Sequence, residues 1–313
     1  MCFLLWCPAG NRDSLAAAAV DAEWSARTAI EALADSPLKR SEAALRYLVE
    51  TGGLTHATVA EVLTNSSTVG ASVSSRLLDL AESDDDARAL LAMRALNQWS
   101  AASVAELARW ASTAKTRHHE RVAAQFRSLG GTVFLKGGVI VEVVLNSCRI
   151  VDTDLRGLRG LQEITDLSFE RTPIGDAGLK HVAELHRLEW LNLFLTQVSD
   201  DGLAHLKKLR RLERLPIGGT RVTDAGLKTL SDLPSLKYLG LRGTRITDKG
   251  MPILDSMRGL TELNLGDTAV GDVGLEALRS LKSLRVLYLG STAATDAGIA
   301  RFSRALPDCQ IQR

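Results

Sequence analysis

Apolar residues follow two different periods along the chain. In the first half they recur at helical spacing, as Leu45 and Val49 do, which predicts a region built of helices. In the second half, pairs such as Leu239 and Leu241 have the two-residue step of a strand that buries one face. The pattern therefore predicts an all-α region over 14–131, after a disordered or apolar tail at 1–13, and a strand-based region over 132–313.

The first half is predicted to form helices with short breaks. The helical segments are about 14–33, 41–49, 56–63, 73–82, 85–97, 101–112 and 115–129. Gly52-Gly53 and Gly130-Gly131 are placed to end two of them. The sequence Asn65 to Gly70 is predicted to be a loop, and the acidic run at 83–86 a solvated helix start.

The second half repeats a unit of 24 residues, marked by a threonine in each copy. The threonines are Thr172, Thr196, Thr220, Thr244, Thr268 and Thr292, with Cys148 one period earlier. Around each of them the frame is L-x-x-L-x-L-x-x-T-x-[VI]-x-D-x-G-L, with small variations. A period in the twenties indicates a solenoid, because one such unit cannot bury its own apolar face and must stack on its neighbours.

The polar positions of the frame have structural explanations. The threonine follows the strand, so its hydroxyl is expected to bond the backbone of the adjoining turn. The aspartate and the glycine begin a helical turn, where an aspartate accepts free N–H groups. The alternative for these aspartates is a ladder of calcium sites, but calcium needs six to eight oxygens and each repeat offers one carboxylate.

Both ends of the repeat array have atypical sequences. Two β-rich runs over 132–145 are separated by Gly137-Gly138, which predicts a hairpin that caps the solenoid. At the other end, the sequence of residues 306–311 predicts a short closing strand that finishes the array.

The frame resembles a leucine-rich repeat over about residues 139–313. It is close to the variety found in many bacterial repeat proteins and similar to the cysteine-containing repeats of F-box ubiquitin-ligase receptors, with Thr where that variety often has Cys or Asn. The resemblance implies an α/β solenoid with parallel strands on the concave face and helices on the convex face. It is preceded here by the all-α N-terminal region and the capping β-hairpin.

Strand residues that flank the buried leucines point away from the core and form columns across the sheet. Tryptophan, tyrosine and arginine dominate binding hot spots, and aromatics make up only 4% of this chain. We therefore predict a partner-binding surface, formed by Trp190, Asn192, Phe194, Arg214, Tyr238, Arg242, Glu262 and Tyr288. The alternative is that the hairpin or the helical region covers Trp190 and Phe194.

Net charge and cysteine spacing bear on the kind of partner and on the cellular compartment. The net charge of +1 over 313 residues is small for a nucleic-acid binder, so none is expected as a partner. The cysteines, Cys2, Cys7, Cys148 and Cys309, lack metal or disulfide spacing, which favours a reducing, cytoplasmic location. The apolar first ten residues lack the basic start of an export signal, although a misplaced start codon would hide one. No apolar run is long enough to span a membrane.

Sequence motifs of catalysis and cofactor binding are absent. The chain has no phosphate loop, nucleophile elbow, zinc-binding H-E-x-x-H pair or dinucleotide fingerprint. Five of the six histidines are expected on solvated helical surfaces: His118, His119, His181, His186 and His205. Cys309 is not expected to be a ligase nucleophile, because ligases with such repeats carry a separate catalytic domain and the sequence has no sign of one.

The sequence favours a non-enzymatic module without a cofactor that binds a protein or peptide on the concave face. Two alternatives stay open. One is a substrate-recognition adaptor of a ubiquitin-ligase-like complex, and the other is an enzyme with an unrecognised site in the helical half. The partner's identity and the oligomeric state are not determined by the sequence.

Overall fold

The computed structural model describes residues 26–35, 38–50, 67–81, 86–100 and 105–313. The chain divides into two compact units, residues 1–118 and 119–313. Within the described residues, the helices of the first unit are α1 (Ala26–Asp35), α2 (Leu38–Glu50), α3 (Ser67–Ala81), α4 (Asp86–Ser100) and α5 (Ala105–Ser128), which continues into the second unit.

Amphipathic helices form the core of the first unit. Helix α1 packs against α2 and α3, and α4 packs against the same two helices. Their apolar faces are buried, including Leu33, Leu45, Leu77 and Leu96. The all-α character that the 3.6-residue period predicts is thus present.

Two predictions of element boundaries in this half are wrong. Helix α3 already includes 67–70, which was predicted as loop, because serine and threonine are as acceptable in a first helical turn as in a loop. One helix, α5, replaces the two predicted over 101–112 and 115–129, since Thr113 and Ala114 contain no helix breaker. Several predictions lie outside the described residues: the tail at 1–13 with Cys2 and Cys7, the helix at 56–63, the Gly52-Gly53 stop, and residues 14–25, 65–66 and 83–85.

The second unit is built on one nine-stranded sheet whose strands follow chain order. Strands β1 and β2 form the predicted antiparallel hairpin, and every later pairing is parallel. The strands are β1 (Thr132–Lys136), β2 (Val139–Val144), β3 (Asp166–Ser168), β4 (Trp190–Asn192), β5 (Arg214–Pro216), β6 (Tyr238–Gly240), β7 (Glu262–Asn264), β8 (Val286–Tyr288) and β9 (Gln310–Gln312).

Short helical segments alternate with these strands. The α-helices are α6 (Asp176–Leu179), α7 (Asp200–Leu203), α8 (Asp224–Leu230), α9 (Met251–Ser256), α10 (Asp272–Ala277) and α11 (Asp296–Ala305). Four 3-10 helices cover Asp152–Leu158, Ala204–Lys208, Asp248–Gly250 and Leu278–Ser280. Each repeat thus supplies one strand and one helical turn, and leucines such as Leu215 and Leu239 are fully buried between them.

The predicted role of the repeated threonine is confirmed. Thr220 Oγ1 donates to the carbonyl oxygen of Ile217 at 2.7 Å, and the other five threonines make the same bond three residues back. The residue before each threonine has a left-handed backbone, with φ of 57° at Leu195 and 66° at Gly219. Every strand is therefore followed by the same tight turn, whether or not the position holds a glycine.

The repeated aspartate does not cap its own helix, so that prediction is wrong. Asp200 Oδ1 accepts from the backbone N–H of Thr223 in the next repeat at 2.9 Å, and its Oδ2 accepts from the Thr223 hydroxyl at 2.6 Å. Asp176, Asp224 and Asp272 make the same pair of bonds 23 residues on. The carboxylates link successive repeats and are occupied by protein donors.

The glycine two residues after each aspartate makes room for the carboxylate of the repeat before. A Cβ on Gly226 would lie 2.3 Å from Asp200 Oδ1, and a Cβ on Gly250 would lie 2.5 Å from Asp224 Oδ1. Real Cβ atoms do not approach other atoms so closely, since close packing leaves no such overlap. Aspartate and glycine are therefore complementary across repeats.

The five histidines within the described residues divide into two groups. His186 and His205 are exposed as expected, but His118, His119 and His181 are buried, which contradicts the predicted solvated surfaces. His119, on α5, accepts the N–H of Ile140 in β2 at Nδ1 over 2.9 Å. A buried backbone N–H needs an acceptor, and this histidine fixes the helix to the hairpin.

Candidate functional site: the strand face of the repeats

The register of the sheet aligns the strand-face positions as predicted. Trp190 pairs with Arg214, Arg214 with Tyr238 and Tyr238 with Glu262. Beyond the strand ends, Leu195 N–H donates to the Gly218 carbonyl and Gly219 N–H to the Arg242 carbonyl. Neighbouring side chains therefore stand about 4.8 Å apart in rows across the sheet.

The predicted binding residues differ in exposure. Arg214 and Arg242 are exposed, whereas Trp190, Phe194, Tyr238, Glu262 and Tyr288 are half-buried. Asn192 is only 6% exposed. Its Oδ1 accepts from the Phe194 N–H at 3.0 Å and its Nδ2 donates to Glu170 at 3.2 Å. Asn192 therefore supports the site from below, holding the backbone that presents Phe194.

Four of the predicted residues form a connected cluster on β5 to β8. The guanidinium carbon of Arg214 lies 4.7 Å from the centre of the Tyr238 ring, a cation–π contact. Glu262 lies 3.7 Å from Arg214 Nη2 and accepts from the Tyr288 hydroxyl at 3.3 Å. Burial and the Glu262 carboxylate raise the pKa of both tyrosines. Both phenols are thus held in the protonated form, which can donate hydrogen bonds.

Beside this cluster lies a cavity of about 220 Å³, lined mainly by apolar atoms. We name it the aromatic pocket; it is lined by Phe194, Pro216, Gly218, Tyr238, Gly240, Arg242 and Asn264. A Cβ on Gly218 would lie 2.9 Å from the Phe194 ring, and one on Gly240 would lie 2.8 Å from the Tyr238 hydroxyl. The glycines let both rings lie close to the sheet.

Arg242 is fixed at the edge of the aromatic pocket. Its Nε donates to Asp267 Oδ2 at 2.6 Å, and this bond together with one from Ser291 lowers the pKa of the Asp267 carboxyl. A second, more polar cavity of about 330 Å³ lies on the other side of Arg242 and is lined by Asn264, Tyr288 and Gln312 among others. The arginine thus separates an apolar cavity from a polar one.

Gly218 and Gly240 as the base of the aromatic pocket, and Asp267 as the partner of Arg242, were not identified from the sequence. Glycine in a strand or just after one signals a close approach of another group, so Gly240 at the end of β6 and Gly218 after β5 are recognisable from the sequence. Asp267 lies outside the strand columns, in the left-handed turn position, and had no sequence signal.

The structure gives little support to the other candidate sites, a nucleophile at Cys309 and a metal site. Cys309 is buried, and burial raises its pKa to about 11, so its thiol stays protonated near neutral pH and is a poor nucleophile. Among the residues that the structure describes, no three histidine, cysteine, aspartate or glutamate side chains form a group that could hold a metal ion. In the same residues, every helix is too short or too polar to cross a bilayer.

Comparison with solved structures gives partial likenesses to other repeat proteins. An internalin from Listeria monocytogenes is 25% identical, with a TM-score of 0.47, over 55% of this chain and 47% of that one. A Leptospira interrogans LRR protein is 19% identical, with a TM-score of 0.39, over 50% and 45% of the two chains. The LRR ectodomain of a plant membrane receptor kinase from Arabidopsis thaliana, solved in complex with Casparian strip integrity factor 2, is 14% identical, with a TM-score of 0.39, over 57% and 25%. The likeness spans half or less of these proteins.

Comparison at the sequence level is narrower. No curated protein matches the chain. A family model described as Leucine Rich repeat matches residues 258–278, which run from the turn before β7 into α10. That segment is one copy of the 24-residue unit. With one parallel strand for each copy along the rest of the sheet, residues 139–313 have the fold of a leucine-rich-repeat solenoid.

Proposed function

We propose that the chain is a recognition module that binds a protein or peptide across the strand face of its repeats, without catalysing a reaction. The contact residues of this proposal are Trp190, Phe194, Arg214, Tyr238, Arg242, Glu262 and Tyr288, with Asn192 beneath them. The observation that carries the proposal is the row of half-buried aromatic rings and exposed arginines on a sheet whose core does not need them.

Two physical features support binding here. Aromatic and arginine side chains give large contact area and dominate interface energetics. The rings are also held in place before a partner arrives, since Tyr238 is stacked on Arg214 and Tyr288 is bonded to Glu262. Preorganisation of this kind lowers the entropy cost of association.

Affinity capture from a lysate of the source organism tests the proposal. The intact chain is compared with a Trp190→Ala, Tyr238→Ala double variant and with Val273→Ala, which removes an apolar side chain that is 72% exposed on α10. Circular dichroism confirms that all three are folded. We expect a partner that is enriched on the intact chain and on Val273→Ala and lost from the double variant. Unchanged capture by the double variant would exclude the strand face.

A further inference from the structure

The strand face has an acidic end that the predicted binding residues leave out. Glu142, Asp166 and Glu170 lie on β2 and β3 and in the turn after β3, in the columns that continue to Trp190 and Phe194. We name these three carboxylates the acidic end. The strand-face positions on β2, β3 and β4 and in the turns after them, all within the described chain, include no lysine or arginine; they are Glu142, Val144, Asn146, Asp166, Ser168, Glu170, Trp190, Asn192 and Phe194. Arg171, which is exposed and lies 3.4 Å from Glu170, is a nearby cation.

The middle of the strand face, in contrast, carries arginines as well as carboxylates. Arg214 and Arg242 are partly offset by Glu262 and Asp267, and the aromatic pocket lies between them. A cavity of about 220 Å³ is smaller than the roughly 300–1,000 Å³ of pockets that hold whole small molecules. Its size and apolar lining suit one large apolar side chain.

From this arrangement we infer that the partner presents an extended segment, with a large apolar side chain in the aromatic pocket and a lysine or arginine over the acidic end. The inference rests on the proposed function and adds the chemistry of the partner to it. A binder with an acidic segment would meet three carboxylates, of which Glu170 is partly offset by Arg171, and like charges disfavour such a complex.

The geometry also sets the spacing within the segment. The aromatic pocket is centred between β5 and β6, and the acidic end lies on β2 and β3, about three strands away. At about 4.8 Å per strand this separation is roughly 14 Å, which an extended chain rising about 3.3 Å per residue covers in about four residues. The apolar and basic residues of the partner are therefore about four or five positions apart, with Trp190 contacting the residues between them.

Selection of random 12-residue linear peptides displayed on phage tests the inference with the full-length chain. We expect enriched sequences that share a Leu, Ile, Met or Phe about four or five positions from a Lys or Arg. The isosteric triple variant Glu142→Gln, Asp166→Asn, Glu170→Gln can keep the hydrogen bonds of the last two side chains. It should bind a synthetic enriched peptide about three- to tenfold more weakly at low salt. A control triple on the helical side, Asp201→Asn, Asp232→Asn, Glu276→Gln, should leave the affinity unchanged.

A double-mutant cycle locates the apolar residue. Replacing it by alanine in the peptide should weaken binding to the intact chain about tenfold and to Phe194→Ala less than about threefold, because the variant lacks one wall of the pocket. Equal losses on both proteins would overturn the assignment of the pocket.

The remaining outcomes separate this inference from the proposed function. Enriched peptides that need Trp190 and Tyr238 but lack the basic and apolar spacing would overturn the inference and leave the proposed function standing. Peptides that bind the Trp190→Ala, Tyr238→Ala variant as well as the intact chain would contradict both. A selection that enriches nothing would overturn the inference, while the lysate capture still decides whether the strand face binds a folded partner.

Discussion

At the scale of single residues, the aspartate and the glycine of each repeat act on different neighbours. Asp200 holds the backbone of Thr223 in the next repeat, and Gly226 leaves the space in which Asp200 sits. The pair therefore stabilises the stacking of repeats, and its loss should be measurable in a single variant.

We expect Gly226→Ala to destabilise the repeat unit by about 1–3 kcal/mol, because the added methyl overlaps the Asp200 carboxylate. The control is Gly259→Ala, where a Cβ makes its closest contact at 3.4 Å and φ is not left-handed. That substitution should be neutral or slightly stabilising. Urea unfolding midpoints measure both, and equal midpoints would show that the glycine is not needed for the carboxylate.

The bonds of Asp272 to Thr295 in the next repeat make the stability of the repeat unit depend on pH. The pKa of its carboxyl is lowered first by the Thr295 backbone N–H, then by the Thr295 hydroxyl and Arg301. A carboxyl with a depressed folded pKa stabilises above its ordinary pKa of about 4, and that stabilisation is lost as the pH falls through the folded pKa.

The stability difference between the intact chain and Asp272→Asn should therefore be complete near pH 7 and shrink as the pH falls below about 4. Denaturant melts across this range measure it. Asp201→Asn, at an exposed position in the first turn of α7, controls for the loss of a surface charge. A difference that stays constant from pH 7 to pH 3 would contradict the role of the ionised carboxylate.

At the scale of elements, the joint between α5 and the hairpin depends on one buried bond. His119 Nδ1 accepts the Ile140 N–H, so that nitrogen carries no proton in the folded chain. His119→Leu would leave the N–H buried without this acceptor, at a cost of about 1–3 kcal/mol. Exposed Glu120, the next residue on α5, supplies the control Glu120→Ala, expected within about 0.5 kcal/mol of the intact chain. Similar unfolding midpoints for the two variants would contradict the importance of this bond.

The sequence predicted the elements of the repeat half well, because the same frame occurs in six copies and equivalent residues of each copy have the same structural environment. The strand register, the threonine bond and the hairpin at Gly137-Gly138 follow from period and turn chemistry. The role of Asp200 was missed because its partner lies one repeat away, at a distance that a pattern within one repeat does not show. The left-handed turn position was missed because five of its seven residues are not glycine.

The helical half was harder to predict. Helix boundaries there depend on packing between α1, α2, α3 and α4, and the sequence has no repeated unit to confirm a boundary. The burial of His119 has the same origin, since its neighbour Ile140 lies 21 residues away. For the candidate site, the columns were predictable, whereas the aromatic pocket depends on how Phe194 and Tyr238 lie over Gly218 and Gly240.

At the scale of the whole repeat unit, stability should depend on register more than on repeat number. Removing residues 220–243 joins Gly219 to Thr244, and Gly219 and Gly243 have nearly the same φ, 66° and 67°. Asp200 would then meet Thr247, which offers the same N–H and hydroxyl as Thr223.

We expect this 24-residue deletion to keep the circular dichroism spectrum of a folded chain and a cooperative urea transition, because stability in such arrays is a sum over neighbouring repeats. Deletion of residues 220–242 is the matched control. It leaves one extra residue, which shifts both the strand pairing and the aspartate-to-threonine bonds between repeats by one position. It should therefore unfold the array from that point. Equal behaviour of the two deletions would contradict the register argument.

The central claim is that the strand face, rather than the helical side, meets the partner. The most direct measurement places the photoreactive amino acid benzoylphenylalanine at Tyr288 in one protein and at Val273 in another, followed by irradiation in the source lysate. The strand-face account predicts a discrete crosslinked adduct from position 288 and none from position 273. An adduct from position 273 alone would place the partner on the helical side and contradict the account.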